Sequence, residues 1–131
     1  MIPIVVPGYA AVFALIFVLL AVNVTRLRQK HKVSIGAGNH RDLERSQRVH
    51  ANFAEYVPFA LLLLAFMEMQ RQSIYAIHIL AIILLVGRLL HAYGIAQQPE
   101  NMTCRGLGYL ATLVVLVVAA IFLLVNALRA I

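Results

Sequence analysis

The sequence predicts an all-α protein, an integral membrane four-helix bundle, and three observations carry that expectation. Hydrophobic residues make up 63% of the 131-residue chain and charged residues only 12%, against about 25% charged in a soluble domain. Mean hydropathy is +0.88, so most of the surface must face lipid. The apolar residues fall in four runs, at about 4–24, 45–69, 73–96 and 103–128. At 1.5 Å per residue each is long enough to cross a hydrocarbon layer of ~30 Å as a helix. None shows the two-residue alternation of membrane barrel strands. The chain reads as one domain, 1–131.

The first run has Pro3 and Pro7 near its start, where proline is tolerated, and no charge before Arg26. A polar loop over 27–44 follows, with Gly36-Ala37-Gly38-Asn39 as its flexible part. The second run opens on Arg45, Arg48, Asn52 and Glu55 and ends in a tight turn at 69–72. The third starts near Ser73, carries Arg88 and His91 near its end, and leads into a short loop, 97–102, containing Pro99. The fourth begins near Thr103, with Arg105 and Tyr109 in its first turns.

Charge sets the expected orientation. Seven of the eleven Lys and Arg residues lie between Arg26 and Arg48, within a net charge of +6. Apolar runs flank this cluster on both sides, which marks it as a cytoplasmic loop rather than a nucleic-acid surface. Loops 27–44 and 97–102 are then cytoplasmic, and both termini face the other side. The single cysteine, Cys104, excludes an internal disulfide and a thiolate metal cluster.

The polar residues of the spans predict a site. Arg48, Asn52 and Glu55 are spaced i, i+4, i+7 and share one side of a helix. An ionisable group within a span costs at least ~2.5–3.5 kcal/mol. Arg88 and His91, and Arg105 and Tyr109, fall at the same cytoplasmic depth, which argues for one shared site. Each group also has a plainer reading. Arg45, Arg48 and Arg105 can snorkel to the interface. Glu55 and Arg88 can form a structural ion pair, and Asn52 can be an interhelical hydrogen bond. His78 is expected to make an interfacial hydrogen bond. His50 and His91 lack a His-x-x-x-His partner on one helix, so no metal site is expected. Counted with Arg26 and Arg45 at the rim, arginines outnumber the one carboxylate, Glu55. A small anionic ligand is the natural fit, because arginine pairs bidentately with carboxylates.

The stretch Glu44-Arg45-Ser46-Gln47-Arg48-Val49-His50-Ala51-Asn52-Phe53-Ala54-Glu55 resembles the E-R-x-x-R-x-H-x-N-x-x-E signature of the MAPEG family. These are membrane-associated proteins in eicosanoid and glutathione metabolism, including the microsomal glutathione transferases. Arg26-Leu27-Arg28-Gln29-Lys30 resembles the basic exit of the family's first helix, and Pro58 follows the signature as it does there. Gly87-Arg88-Leu89-Leu90-His91 resembles G-R-x-x-H of the third helix, and Arg105 with Tyr109 resembles R-x-x-x-Y opening the fourth.

The resemblance implies a homotrimer in the membrane, with glutathione as co-substrate between neighbouring subunits and a lipophilic second substrate arriving from the bilayer. It implies that Arg26, Arg48, Asn52, Glu55, Arg88, His91 and Tyr109 bind or position glutathione, and that Arg105 faces the sulfur as the catalytic group. Ala51 stands where some members have a basic residue, and Ile95 where the eicosanoid branch has a tyrosine. Loop one is shorter, and the loop before Arg105 is one residue longer. These departures favour a bacterial-type member in the inner membrane. The expected activity is that of a glutathione-dependent transferase or peroxidase. The alternatives are a small multidrug-type transporter, whose family carries its carboxylate in the first helix, and a non-catalytic membrane protein of the same fold.

Overall fold

The computed structural model describes residues 2–130, and these form four α-helices: α1 Val5–His31, α2 Arg41–Met69, α3 Ile74–Ala96 and α4 Met102–Arg129. No strand occurs among the described residues. All four helices are long and apolar enough to cross a membrane.

Two helices overrun the spans expected from hydropathy. α1 continues past Val24 to His31, and α2 begins at Arg41 rather than near Arg45, so the connection shrinks from 27–44 to 32–40. Hydropathy marks where lipid ends, whereas a helix ends where its backbone bonds stop. Arg28, Lys30 and His31 in the last turn of α1 suit its negative end, and Asp42 and Glu44 suit the positive start of α2. α1 closes when Lys32, left-handed at φ 56°, donates to the Gln29 carbonyl while Val33 donates to that of Arg28. That paired closure satisfies carbonyls the helix itself leaves open.

The interior is a single apolar column built from Phe13, Phe53, Val57, Leu64, Ile77, Leu84 and Val115. α2 and α3 each touch the other three helices, whereas α1 and α4 lie on opposite flanks and do not meet. α3 and α4 approach most closely through glycine. A Cβ on Gly94 would stand 2.5 Å from the Arg105 nitrogen, and one on Gly108 would stand 2.5 Å from the His91 nitrogen. No residue with a side chain fits there without moving backbone, so glycine fixes the distance between the two helices.

At the far end the Glu68 carboxylate accepts the N–H groups of Ile4, Val5 and Val6 at 2.6, 2.7 and 2.8 Å. It satisfies donors that the start of α1 leaves orphaned, Ile4 offering no side-chain cap. Beside it, the Tyr9 hydroxyl and His78 Nδ1 are hydrogen-bonded at 2.9 Å. The outward faces are apolar: Leu15 and Leu19 are each 68% exposed and Leu124 61%. Such surface needs lipid or another chain against it.

Candidate functional site

At the other end of the bundle α2, the end of α3 and the start of α4 enclose a cavity of about 790 Å³. α2 contributes Arg48, Asn52 and Glu55 to its wall, α3 contributes His91, and α4 contributes Arg105 and Tyr109. Six of the residues singled out in the sequence therefore share one space. They do so because seven helical positions bring Arg48 and Glu55 back to one face of α2, and because glycines draw α4 onto the end of α3.

Arg88 lies behind this wall rather than in it. It is 2% exposed, and its Nη1 donates to Asn52 Oδ1 at 2.7 Å. Its Nε and Nη2 have no hydrogen-bond partner among the described residues, and its guanidinium lies 5.5 Å from the centre of the Tyr56 ring. A ring face attracts a cation. Tyr56 in turn meets Tyr109 edge-on, the ring centres 5.9 Å apart. The Glu55–Arg88 ion pair considered from sequence does not form. Asn52 takes the arginine, and Glu55 is exposed on the cavity wall with no ion pair among the described residues.

His91 is oriented by α4. A carbonyl can only accept, so Nδ1 of His91 carries the proton and donates to the Arg105 carbonyl at 2.9 Å. The Arg105 side chain is engaged elsewhere: its Nη1 lies 2.6 Å from Glu100 Oε2. Asn101 begins α4 by accepting the Cys104 N–H at 3.0 Å. Arg45 is used structurally, donating to the carbonyls of Ile95 and Gln97 where α3 ends.

Arg26 is exposed on α1 and is absent from the cavity wall, because α1 does not reach α4, which forms that wall. The excess of positive charge is also smaller than sequence counting gave. Arg41, Arg45, Arg48 and Arg105 line the cavity against Glu44, Glu55 and Glu100, a balance of four minus three. Glu100 was missed because it sits in a loop, where no periodicity signals a neighbour; its position just before the capping Asn101 was the available hint. His50 points away from the cavity, its ring 4.7 Å from that of Phe17.

A family model described as the MAPEG family matches residues 6–125. Among curated proteins the chain is similar to the inner membrane protein YecN of Escherichia coli strain K12. It is 41% identical to it over 86 residues, 66% of this chain and 66% of that one. The same figures hold for YecN of E. coli O6:H1. The similarity thus spans just under two thirds of those relatives' length.

Proposed function

The chain belongs to the MAPEG family, and on that premise we propose that it is a membrane-bound, glutathione-dependent transferase or peroxidase. One observation supports this most. Arginine, carboxylate, amide, imidazole and phenol groups, brought together by three helices, line a single cavity large enough for a tripeptide. In this reading Arg48, Asn52, Glu55, His91 and Tyr109 receive glutathione, and Arg88 acts by holding Asn52. The chain resides in the inner membrane, consistent with the name of its E. coli relatives and with four helices suited to span a bilayer. The loops at 32–40 and 97–101 face the cytoplasm, by the charge argument. A homotrimer sets α1 of one subunit against the open side of its neighbour's cavity, which brings Arg26 to a ligand carboxylate.

Catalysis in this reading rests on Arg105. A thiol with pKa near ~8.5 is mostly protonated at neutral pH, and lowering that by two units takes ~2.7 kcal/mol of differential stabilisation. The guanidinium and the amino end of α4 supply it together. The thiol proton leaves to water, the sulfur bonds to the electrophilic carbon, and the leaving group departs with the electron pair. With a hydroperoxide the sulfur attacks the terminal oxygen, the O–O bond breaks, and an alcohol leaves. A second thiol then converts the sulfenic acid to a disulfide and water. Glu100 must yield Arg105 to the sulfur in either case.

The test is Arg105→Leu. Glutathione binding survives, read as thermal stabilisation of the detergent-solubilised protein, which at 100 times the dissociation constant amounts to about 2.7 kcal/mol. Conjugation of a model electrophile falls at least about tenfold. Unchanged turnover removes Arg105 from the chemistry, and no stabilisation of the wild type by glutathione removes the proposal. The Glu100–Arg105 pair favours one second reading, a glutathione-binding protein of the same fold without turnover. It predicts stabilisation by glutathione with no conjugation in either form.

A further inference from the structure

We propose that His31, His40 and Asp42 form a binding site for a divalent transition cation of the zinc class. The site ties α1 to α2 on the loop side of the bundle. The ligand atoms of these three residues all lie within 4.8 Å of one another. His31 Nε2 is 2.8 Å from Asp42 Oδ2, and the His31 and His40 rings stack with centres 3.9 Å apart and planes 16° apart. Two imidazoles and one carboxylate are a donor set that zinc takes at about 2.0–2.2 Å each, with a fourth position left for water. A tetrahedron of such bonds sets its ligands roughly 3.3 Å apart. Both rings must turn out of their stack for their in-plane lone pairs to converge on one ion, and a cation then replaces the proton shared by His31 and Asp42.

The surroundings hold the backbone at His31 and His40 and the Asp42 carboxylate in place independently of any ion. His31 is the last residue of α1, fixed by the paired closure at Lys32 and Val33. His40 donates its N–H to the Ala37 carbonyl at 2.9 Å and stands immediately before α2. Asp42 Oδ1 accepts the Leu43 N–H at 2.9 Å, which orients the carboxylate and leaves Oδ2 to face the histidines. Arg28 pins the loop between them through the carbonyls of Ser34 and Gly36 at 2.9 and 3.2 Å. Orientation by neighbouring hydrogen bonds is the usual support of a metal ligand. The His31 side chain is 16% exposed and that of Asp42 38%, so the site is sheltered yet open on one side for entry. A search for paired histidines on one helix misses it, since its ligands come from a helix end, a loop and the next helix start.

Lys30 competes with the cation for the carboxylate. Lys30 Nζ lies 3.9 Å from Asp42 Oδ2, but its side chain is 68% exposed and can swing into water. That competitor gives the test its signature. Protein purified without a histidine tag is titrated with Zn²⁺ against a chromophoric chelator. One ion binds per chain, and its affinity falls about tenfold or more in His40→Ala and in Asp42→Asn. Lys30→Gln binds more tightly than wild type. Co²⁺ gives the wild type a tetrahedral visible absorption that both ligand variants lose. Asp42→Asn keeps the oxygen that accepts from Leu43, and helical circular dichroism shows that it folds. No binding by the wild type, or equal affinity in wild type, His40→Ala and Asp42→Asn (an adventitious ion only), overturns the site.

Discussion

The α3–α4 seam and the α1 flank of this bundle are held by different physics. Along the seam, backbone meets backbone at Gly87, Gly94 and Gly108, so the crossing distance has no slack. α1 instead rests on side chains: the Phe13 and Phe17 rings against Phe53, a carboxylate cap from Glu68, and a bond from Asn23 to Ser46 at 2.9 Å. The seam carries His91, Arg105 and Tyr109, three of the groups around the cavity. The flank carries Arg26, which the cavity of its own chain does not use. The contrast is between a rigid half that sets the site and a peripheral helix held by side chains, with an exposed apolar outer face.

Breaking the seam should have the largest effect. Gly108→Val forces a side chain against the Gly87 carbonyl and His91, and overpacking of this kind costs about 3 kcal/mol or more. We expect loss of the folded protein, read by thermal denaturation in detergent; a melting temperature close to wild type would mean the seam can open. Asn52→Leu comes next. It removes the one hydrogen-bond partner that the buried Arg88 side chain has among the described residues, a charge-assisted bond worth about 1.5–3 kcal/mol. On the flank, Glu68→Ala leaves the N–H groups of Ile4, Val5 and Val6 uncapped and should cost only about 1 kcal/mol. If Glu68→Ala destabilised more than Gly108→Val, the comparison would be reversed.

The same contrast explains what the sequence could reveal. Four helices were legible because apolar length is a local property, and the shared depth of Arg48, Asn52, Glu55, His91, Arg105 and Tyr109 followed from helix periodicity and alternating direction. The last turns of α1 and the first turn of α2 were not legible, since charged residues can continue a helix beyond lipid, as Arg26 to His31 do. Glu100 on Arg105, and Asn52 rather than Glu55 on Arg88, depend on loop path and rotamer, which leave no periodic trace. The cluster of His31, His40 and Asp42 was hidden for the same reason: its members approach only once the loop between the two helices is folded.

The smallest expected effect is the most informative about the cavity. The Arg105 and Glu100 side chains are 44% and 31% exposed, and a pair so open to water contributes at most about 1 kcal/mol to stability. Glu100→Gln should therefore leave the thermal transition nearly unchanged. It should still free the guanidinium from a competing anion. Glutathione bound to the variant then ionises more readily, and the midpoint of its thiolate absorption shifts to lower pH. The shift is bounded by the strength of the pair it relieves, about fivefold in the ionisation constant for 1 kcal/mol. Glutathione that binds with an unmoved midpoint would show that Arg105 does not sense the sulfur, whereas a shift upward would make Glu100 the group that aims Arg105 at the sulfur rather than the rival of the thiolate.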